Sequence, residues 1–159
     1  MVTVLLILKT SRIVKRIHYT TDNLARMIHT SGVRVSAQRI AVLDFIANKK
    51  THPTADEIYS HLHSDYPSMS KTTVYNSLHV LVDSGLVRLL EIESGVMRYD
   101  LGLQEQHGHF LCRKCGSVFD LPLPTDLPMP TDAGFRVDIM EWNCKGLCPD
   151  CAAATETNN

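Results

Sequence analysis

Residues 70–101 read SKTTVYNSLHVLVDSGLVRLLEIESGVMRYDL, and a change of period inside this stretch decides the fold. Behind a Ser70 cap, Val74, Leu78 and Leu81 recur at helical spacing, and Gly85 supplies the left-handed stop. After Gly85 the period becomes that of a strand. Residues 86–92 and 96–101 flank a Glu93-Ser94-Gly95 turn and read as a hairpin. A helix that runs directly into a two-stranded hairpin is the closing half of a winged helix-turn-helix.

Upstream, three further helices complete that unit. Thr21 or Asp22 can cap a helix with Leu24, Met27 and Ile28 inward and Gly32 as its stop. Ser36 caps a second, whose Ile40, Leu43, Ile46 and Ala47 share one face. Thr54 and Glu57 form a capping box, hydroxyl and carboxylate each satisfying the other's backbone donor, ahead of Ile58 and Leu62. Residues 21–101 are therefore expected to form the winged-helix unit, and residues 1–20, which lack turn and cap signals, an extension with no assigned function.

Downstream, residues 102–151 predict a small, mostly β unit. Strands are expected near 108–113 and 117–121, then a connection bearing Pro122, Pro124, Pro128 and Pro130, then a strand from Phe135 to Trp142. Residues 152–159 are a polar tail expected to fray. The class is α+β.

Composition bounds what such a chain can do. Of its 159 residues 44% are hydrophobic and 21% charged, which excludes wholesale disorder. The longest uninterrupted apolar run, Val4 to Leu8, is far short of the roughly 20 residues a bilayer span needs. No membrane partner is expected. Met1 to Leu8 has no basic residue ahead of it and no small-residue cleavage site after it, so a cytoplasmic address is expected. Residues 1–86 carry 10 Lys and Arg against 6 Asp and Glu, and residues 87–159 carry 6 against 11. That polarity fits a first half that meets a polyanion and a second that holds cations.

All five cysteines fall in the last 48 residues. In a reducing compartment such clustering points to metal rather than disulfides. Cys112-Arg-Lys-Cys115 and Cys148-Pro-Asp-Cys151 are two CxxC knuckles, each turning two thiolates toward one point. Together they supply the tetrahedral sulfur cage of a structural zinc site. Cys144 is left over and reads as an ordinary, partly buried residue.

A second cluster has nitrogen and oxygen donors. His107 and His109 face the same side of a strand, Asp100 ends the hairpin and Asp120 ends the partner strand. His52, in Thr51-His52-Pro53-Thr54, is a fifth candidate, its alternative being an ordinary neighbour of a helix cap. Three imidazoles and two carboxylates suit Fe(II), Mn(II) or Zn(II), unlike the soft sulfur cage. An ion drawing ligands from both halves would act as a clasp between them.

The first turns of the fourth helix carry the mixture that double-stranded DNA requires. Lys71 and the cap amides suit phosphate, while Thr72, Tyr75 and Asn76 suit base edges and thymine methyls. Arg34 and Arg39, flanking the start of the second helix, suit phosphate, and Arg34 can also enter a minor groove.

From about Leu24 to Cys151 the chain resembles the ferric uptake regulator (Fur) family of metal-dependent transcriptional repressors. The resemblance runs through Ser36-Ala-Gln-Arg39, His52-Pro-Thr-Ala-Asp-Glu-Ile-Tyr59, Thr73-Val-Tyr-Asn76, Ser84-Gly-Leu-Val87, Arg98-Tyr-Asp100, His107-Gly-His-Phe-Leu-Cys112, Cys115-Gly116 and Cys148-Pro-Asp-Cys151. It implies a homodimer on a palindromic operator, a small α/β dimerisation domain holding zinc on the four cysteines, and His52 as a ligand of a regulatory Fe(II) or Mn(II), with Zn(II) also accepted. Within the family the peroxide-sensing (PerR-type) branch is most similar. Its three histidines and two aspartates match His52, Asp100, His107, His109 and Asp120, and its oxidised ligands would correspond to His52 and His107. The resemblance implies a sensor consumed by its signal, not an enzyme with turnover. Two features depart from the pattern. The proline-bearing connection is shorter than the helix-bearing segment usual there, and residues 121–151 hold no histidine for an additional metal site.

Three other functions compete. An iron- or zinc-responsive repressor without peroxide sensing is separated by operator binding titrated against each metal. A metal-dependent hydrolase would turn over substrate. A zinc-ribbon scaffold would show no DNA affinity.

Overall fold

The computed structural model describes residues 18–102, 107–123, 134–137 and 140–156. The extension up to residue 17 and most of the proline-bearing connection lie outside them.

Four helices make the first half: α1 (Thr21–Thr30), α2 (Ala37–Lys49), α3 (Ala55–Asp65) and α4 (Lys71–Asp83). Each begins where a short polar side chain satisfies an orphan backbone donor. Ser36 accepts from the Arg39 N–H and Ser70 from the Thr73 N–H, while Thr54 and Glu57 form the reciprocal box. For α1 the cap is Thr20, one residue ahead of Thr21 and two ahead of Asp22, the two expected caps. Its hydroxyl accepts from the Asn23 N–H, and Asn23 answers as a box partner, a role usually filled by Glu or Gln. Gly32 and Gly85 follow the ends of α1 and α4 with φ of 80° and 75°. Leu24, Ile28, Leu43, Ile46, Ile58, Val74, Leu78 and Leu81 interlock in one buried core, closed by Leu86, Val87 and Leu101.

The wing is an antiparallel pair, β1 (Val87–Glu93) and β2 (Val96–Leu101), in which Arg88 faces Asp100 and Leu90 faces Arg98. Its inner strand also grips the entry to α3. Thr54 bridges to Arg98, and the Tyr99 N–H donates to the Pro53 carbonyl at 2.9 Å.

A second sheet follows, with strand order β4-β3-β5. β3 (Gly108–Cys112) is central, antiparallel to β4 (Val118–Leu121) and parallel to β5 (Asn143–Gly146). Among the described residues from Phe135 to Trp142, which exclude 138 and 139, none lies in the expected strand. Pairing falls instead on Asn143–Gly146, because that register sets Gly146 beside Cys112 and lets the Cys148 N–H reach the Cys112 sulfur at 3.3 Å. Residues 157–159 lie outside the described residues, and the tail expected to fray over residues 152–159 is corrected as far as residue 156, where α5 runs Pro149–Glu156. Proline opens it at the first helical position, where its missing donor is harmless, and three alanines sustain it. A small apolar cluster of Leu90, Ile92, Leu111 and Val118 packs the wing against this sheet.

Candidate metal centres and DNA-facing surface

The chain reaches His52 through two unusual backbone positions, separated by Thr51. Lys50 ends α2 at φ 51°, and His52 itself sits at φ 48°. A side chain with a Cβ is uncommon there, and the conformation needs outside support. Arg98 provides it by donating from Nη1 to the His52 carbonyl at 3.1 Å. The same guanidinium bonds Glu93 at 2.8 and 3.1 Å, so its charge is compensated.

Held this way, the His52 ring enters the second sheet. Its Nε2 lies 2.8 Å from Asp120 Oδ1 and 3.8 Å from Asp100 Oδ1. His107 Nε2 is 3.3 Å from both Asp100 Oδ2 and Asp120 Oδ1. The His109 ring stands edge-on to the His52 and His107 rings, with centroids 5.0 and 4.8 Å away. One donor atom from each of His52, His107, His109 and Asp120 can be chosen so that all four lie within 4.8 Å of one another. Asp100 stands beside this set rather than in it, its Oδ2 held by Arg88 at 2.6 and 2.9 Å.

The electrostatics favour a cation. Burial pushes the His109 imidazole down to about 4, and the neighbouring His52 and His107 reinforce the shift, so the ring is a neutral donor near pH 7. Burial raises Asp100 and Asp120, but hydrogen bonds outweigh it and hold both below the usual carboxylate range. Those bonds come from His107 and Arg88 to Asp100, and from His107 and His52 to Asp120. Nδ1 of His52 and Nε2 of His109 are buried with no hydrogen-bond partner among the described residues, and the buried Nε2 of His52 faces the Asp120 carboxylate. Orphaned buried imidazole nitrogens beside two ionised carboxylates are the donor set of a divalent ion, and the residues fit one.

The four knuckle cysteines also converge, their sulfurs within 4.8 Å of one another. Cys115 and Cys148 sulfurs are 3.9 Å apart. A tetrahedron built on zinc–sulfur bonds of ~2.3 Å has edges of about 3.8 Å, so the cage fits zinc. Backbone donors of residues 115 and 148 hold the Cys112 thiol down to about 6, whereas the hydrogen bond to Cys148 pushes Cys151 up to about 12. Cys144, half-buried on β5, stands outside both clusters.

Arg34, Arg39, Thr73 and Asn76 line an open cleft of about 360 Å³ between the starts of α2 and α4. Lys71, Thr72 and Tyr75 are exposed beside it. Lys71 pairs with Asp56 at 2.7 Å, and the Tyr75 hydroxyl donates to the same carboxylate at 3.3 Å. Asp56 is thus a contributor to this surface that the reading of the sequence did not single out. Arg88, at the metal cluster, is another.

Residues 30–126 match the model of the Ferric uptake regulator family. The chain is 36% identical over 126 residues to the Peroxide operon regulator of Bacillus subtilis (strain 168), spanning 77% of this chain and 86% of that one. It is 35% identical over 138 residues to the Peroxide-responsive repressor PerR of Staphylococcus saprophyticus, spanning 84% and 92%. In fold it is similar to the ferric uptake regulator of Vibrio cholerae, with a TM-score of 0.65 at 22% identity over 77% of this chain and 98% of that one.

Proposed function

Because the chain belongs to the Ferric uptake regulator family, we propose that it is a metal-dependent DNA-binding transcriptional repressor that senses peroxide through oxidation of its own ligand histidines. It works as a homodimer on palindromic operator DNA in the cytoplasm. Residues 21–101 bind DNA, and residues 102–151 hold metal and dimerise. Cys112, Cys115, Cys148 and Cys151 hold structural zinc. His52, His107, His109, Asp120 and Asp100 hold the regulatory Fe(II) or Mn(II), with Zn(II) also accepted.

The observation that carries this reading is the 2.8 Å approach of His52, from the segment that launches α3, to Asp120 on β4. A cation shared between them is bound in full only when the winged helix and the second sheet hold this arrangement. Its binding free energy therefore goes to one arrangement of the halves and shifts the population toward it. Arg98 transmits the constraint, since it fixes the His52 carbonyl while its own strand grips the start of α3. The α2–α4 cleft, with Arg34, Arg39 and Asn76 in it and Lys71, Thr72 and Tyr75 beside it, is then set for a duplex.

His52, His107, His109, Asp100 and Asp120 would hold ferrous iron, which would lend one electron to the cleavage of hydrogen peroxide and recover it from the attacked ring, so that one peroxide oxygen would end on a ligand imidazole and the other in water. His52 and His107 are the rings we assign to this oxidation, and the approach of each to within 3.3 Å of Asp120 Oδ1 supports their sharing one ion. An oxidised ring is a poorer donor, the attachment between the halves weakens, and DNA is released. Mass spectrometry of iron-loaded protein after peroxide should find one added oxygen on His52 or His107. Unmodified rings with undiminished DNA binding would reject the sensing step.

A further inference from the structure

Asp100 is 5% exposed, and a carboxylate so buried needs a counter-charge. Arg88, directly opposite it across the wing hairpin, supplies one: Nε and Nη2 both donate to Asp100 Oδ2, at 2.9 and 2.6 Å. Nη2 also lies 3.0 and 3.2 Å from the two ring nitrogens of His107. The guanidinium therefore holds one oxygen of a candidate ligand and touches a second ligand. Asp100 is also the residue left out when donor atoms within 4.8 Å of one another are gathered.

We propose that Arg88 is a specificity-determining residue that rations Asp100 between itself and the regulatory ion, and so biases the site toward metals content with four ligands. The proposal rests on the function argued above and adds a cause for metal preference. With neutral imidazoles, Asp100 and Asp120 carry two negative charges and Arg88 one positive. A dication that meets all three leaves a net positive, desolvated site, whereas without Arg88 the charges cancel. The second nearby arginine does not change this sum, because Arg98 is paired with Glu93. While Arg88 holds Asp100, the donors of His52, His107, His109 and Asp120 remain, four in number as zinc prefers. Manganese and ferrous ions favour a larger, oxygen-richer set and must draw Asp100 away from the guanidinium.

The test is Mn(II) and Zn(II) affinity of the full chain, with zinc kept in the thiolate cage, for wild type, Arg88→Gln and Arg88→Lys. Mn(II) is read from the electron paramagnetic resonance signal of the free ion, and Zn(II) by competition. Arg88→Gln should tighten Mn(II) at least about tenfold more than Zn(II), because the removed charge favours both dications alike while the freed Asp100 oxygen favours the ion that takes a fifth ligand. Arg88→Lys keeps the charge without the fork and should fall between. Equal shifts for both metals, no shift, or weaker Mn(II) binding in Arg88→Gln overturns the proposal. A wild-type chain that takes up no ion beyond the caged zinc overturns the function itself, and the proposal with it.

Discussion

His52 Nε2 and Asp120 Oδ1 lie 2.8 Å apart, although one belongs to the loop between two helices of the winged unit and the other to a strand of the second sheet. Around that contact the chain gathers two more imidazoles and a second carboxylate. The link between the halves is therefore made of donor atoms as well as the small apolar cluster of Leu90, Ile92, Leu111 and Val118. That composition makes a cation the natural control on their arrangement.

The support behind His52 should be as important as the ring. Arg98→Ala removes the donor to the His52 carbonyl and leaves Glu93 without its partner. Urea unfolding should show a loss of about 2–4 kcal/mol, the range for breaking a buried charged network. Mn(II) affinity should fall as well, because the left-handed backbone at residue 52 loses its tether. A destabilised variant with wild-type Mn(II) affinity would show that Arg98 serves stability alone.

The capping box of α3 offers a local control. Thr54→Ala deletes one of its two reciprocal bonds, worth about 1 kcal/mol. Its thermal midpoint should drop while His52, two residues earlier, keeps its Arg98 bond. Metal affinity should therefore change far less than in Arg98→Ala.

Zinc removal should act regionally. The larger core is drawn from Leu24 to Leu101, whereas the β3–β5 pairing and α5 are tied to the four sulfurs. Chelation, or Cys148→Ser, should release hydrogen-exchange protection in β3, β5 and α5 while α1, α2 and α4 keep theirs, since the metal's binding energy is the folding energy of the part it holds. Uniform loss of protection would contradict that division.

On the DNA side, Lys71 is proposed as a phosphate contact, so Lys71→Ala should lower the slope of log affinity against log salt by about 1. Asn76 is proposed as a base-edge contact, so Asn76→Ala should instead cost about 1–3 kcal/mol on the best duplex and relax discrimination at one position. Asp56→Ala frees both Lys71 and Tyr75 from a shared carboxylate. It should raise affinity for random-sequence DNA.

What the sequence discloses follows the range of the interaction. Helix starts are legible because a cap acts over three residues, as at Ser36, Ser70 and the Thr54–Glu57 pair; Thr20 escapes only because its box partner is asparagine. The wing is legible from its turn, and writing out the register of the two strands places Arg88 opposite Asp100. Strand β5 is hidden, because its parallel pairing is chosen by where Cys148 must sit and not by the alternation of Phe135 to Trp142. For α5 the signal is present in Pro149 and the alanines, but the polar composition of the tail masks it. The two cysteine knuckles announce themselves by spacing, as does the His107/His109 pair. His52 does not: 55 positions separate it from His107, and only family likeness links them in sequence, whereas in the fold their rings share one aspartate.

The most direct test is the affinity of the protein for a palindromic duplex, at fixed salt, with and without saturating Mn(II), in wild type and in His52→Asn. Asparagine tolerates the left-handed backbone but lacks the imidazole. Mn(II) should tighten wild-type binding by about 10- to 100-fold, the range of a coupling free energy between two sites, and should leave His52→Asn almost unaffected. Equal metal enhancement in both proteins, or none in wild type, would contradict a shared ion as the control on DNA binding.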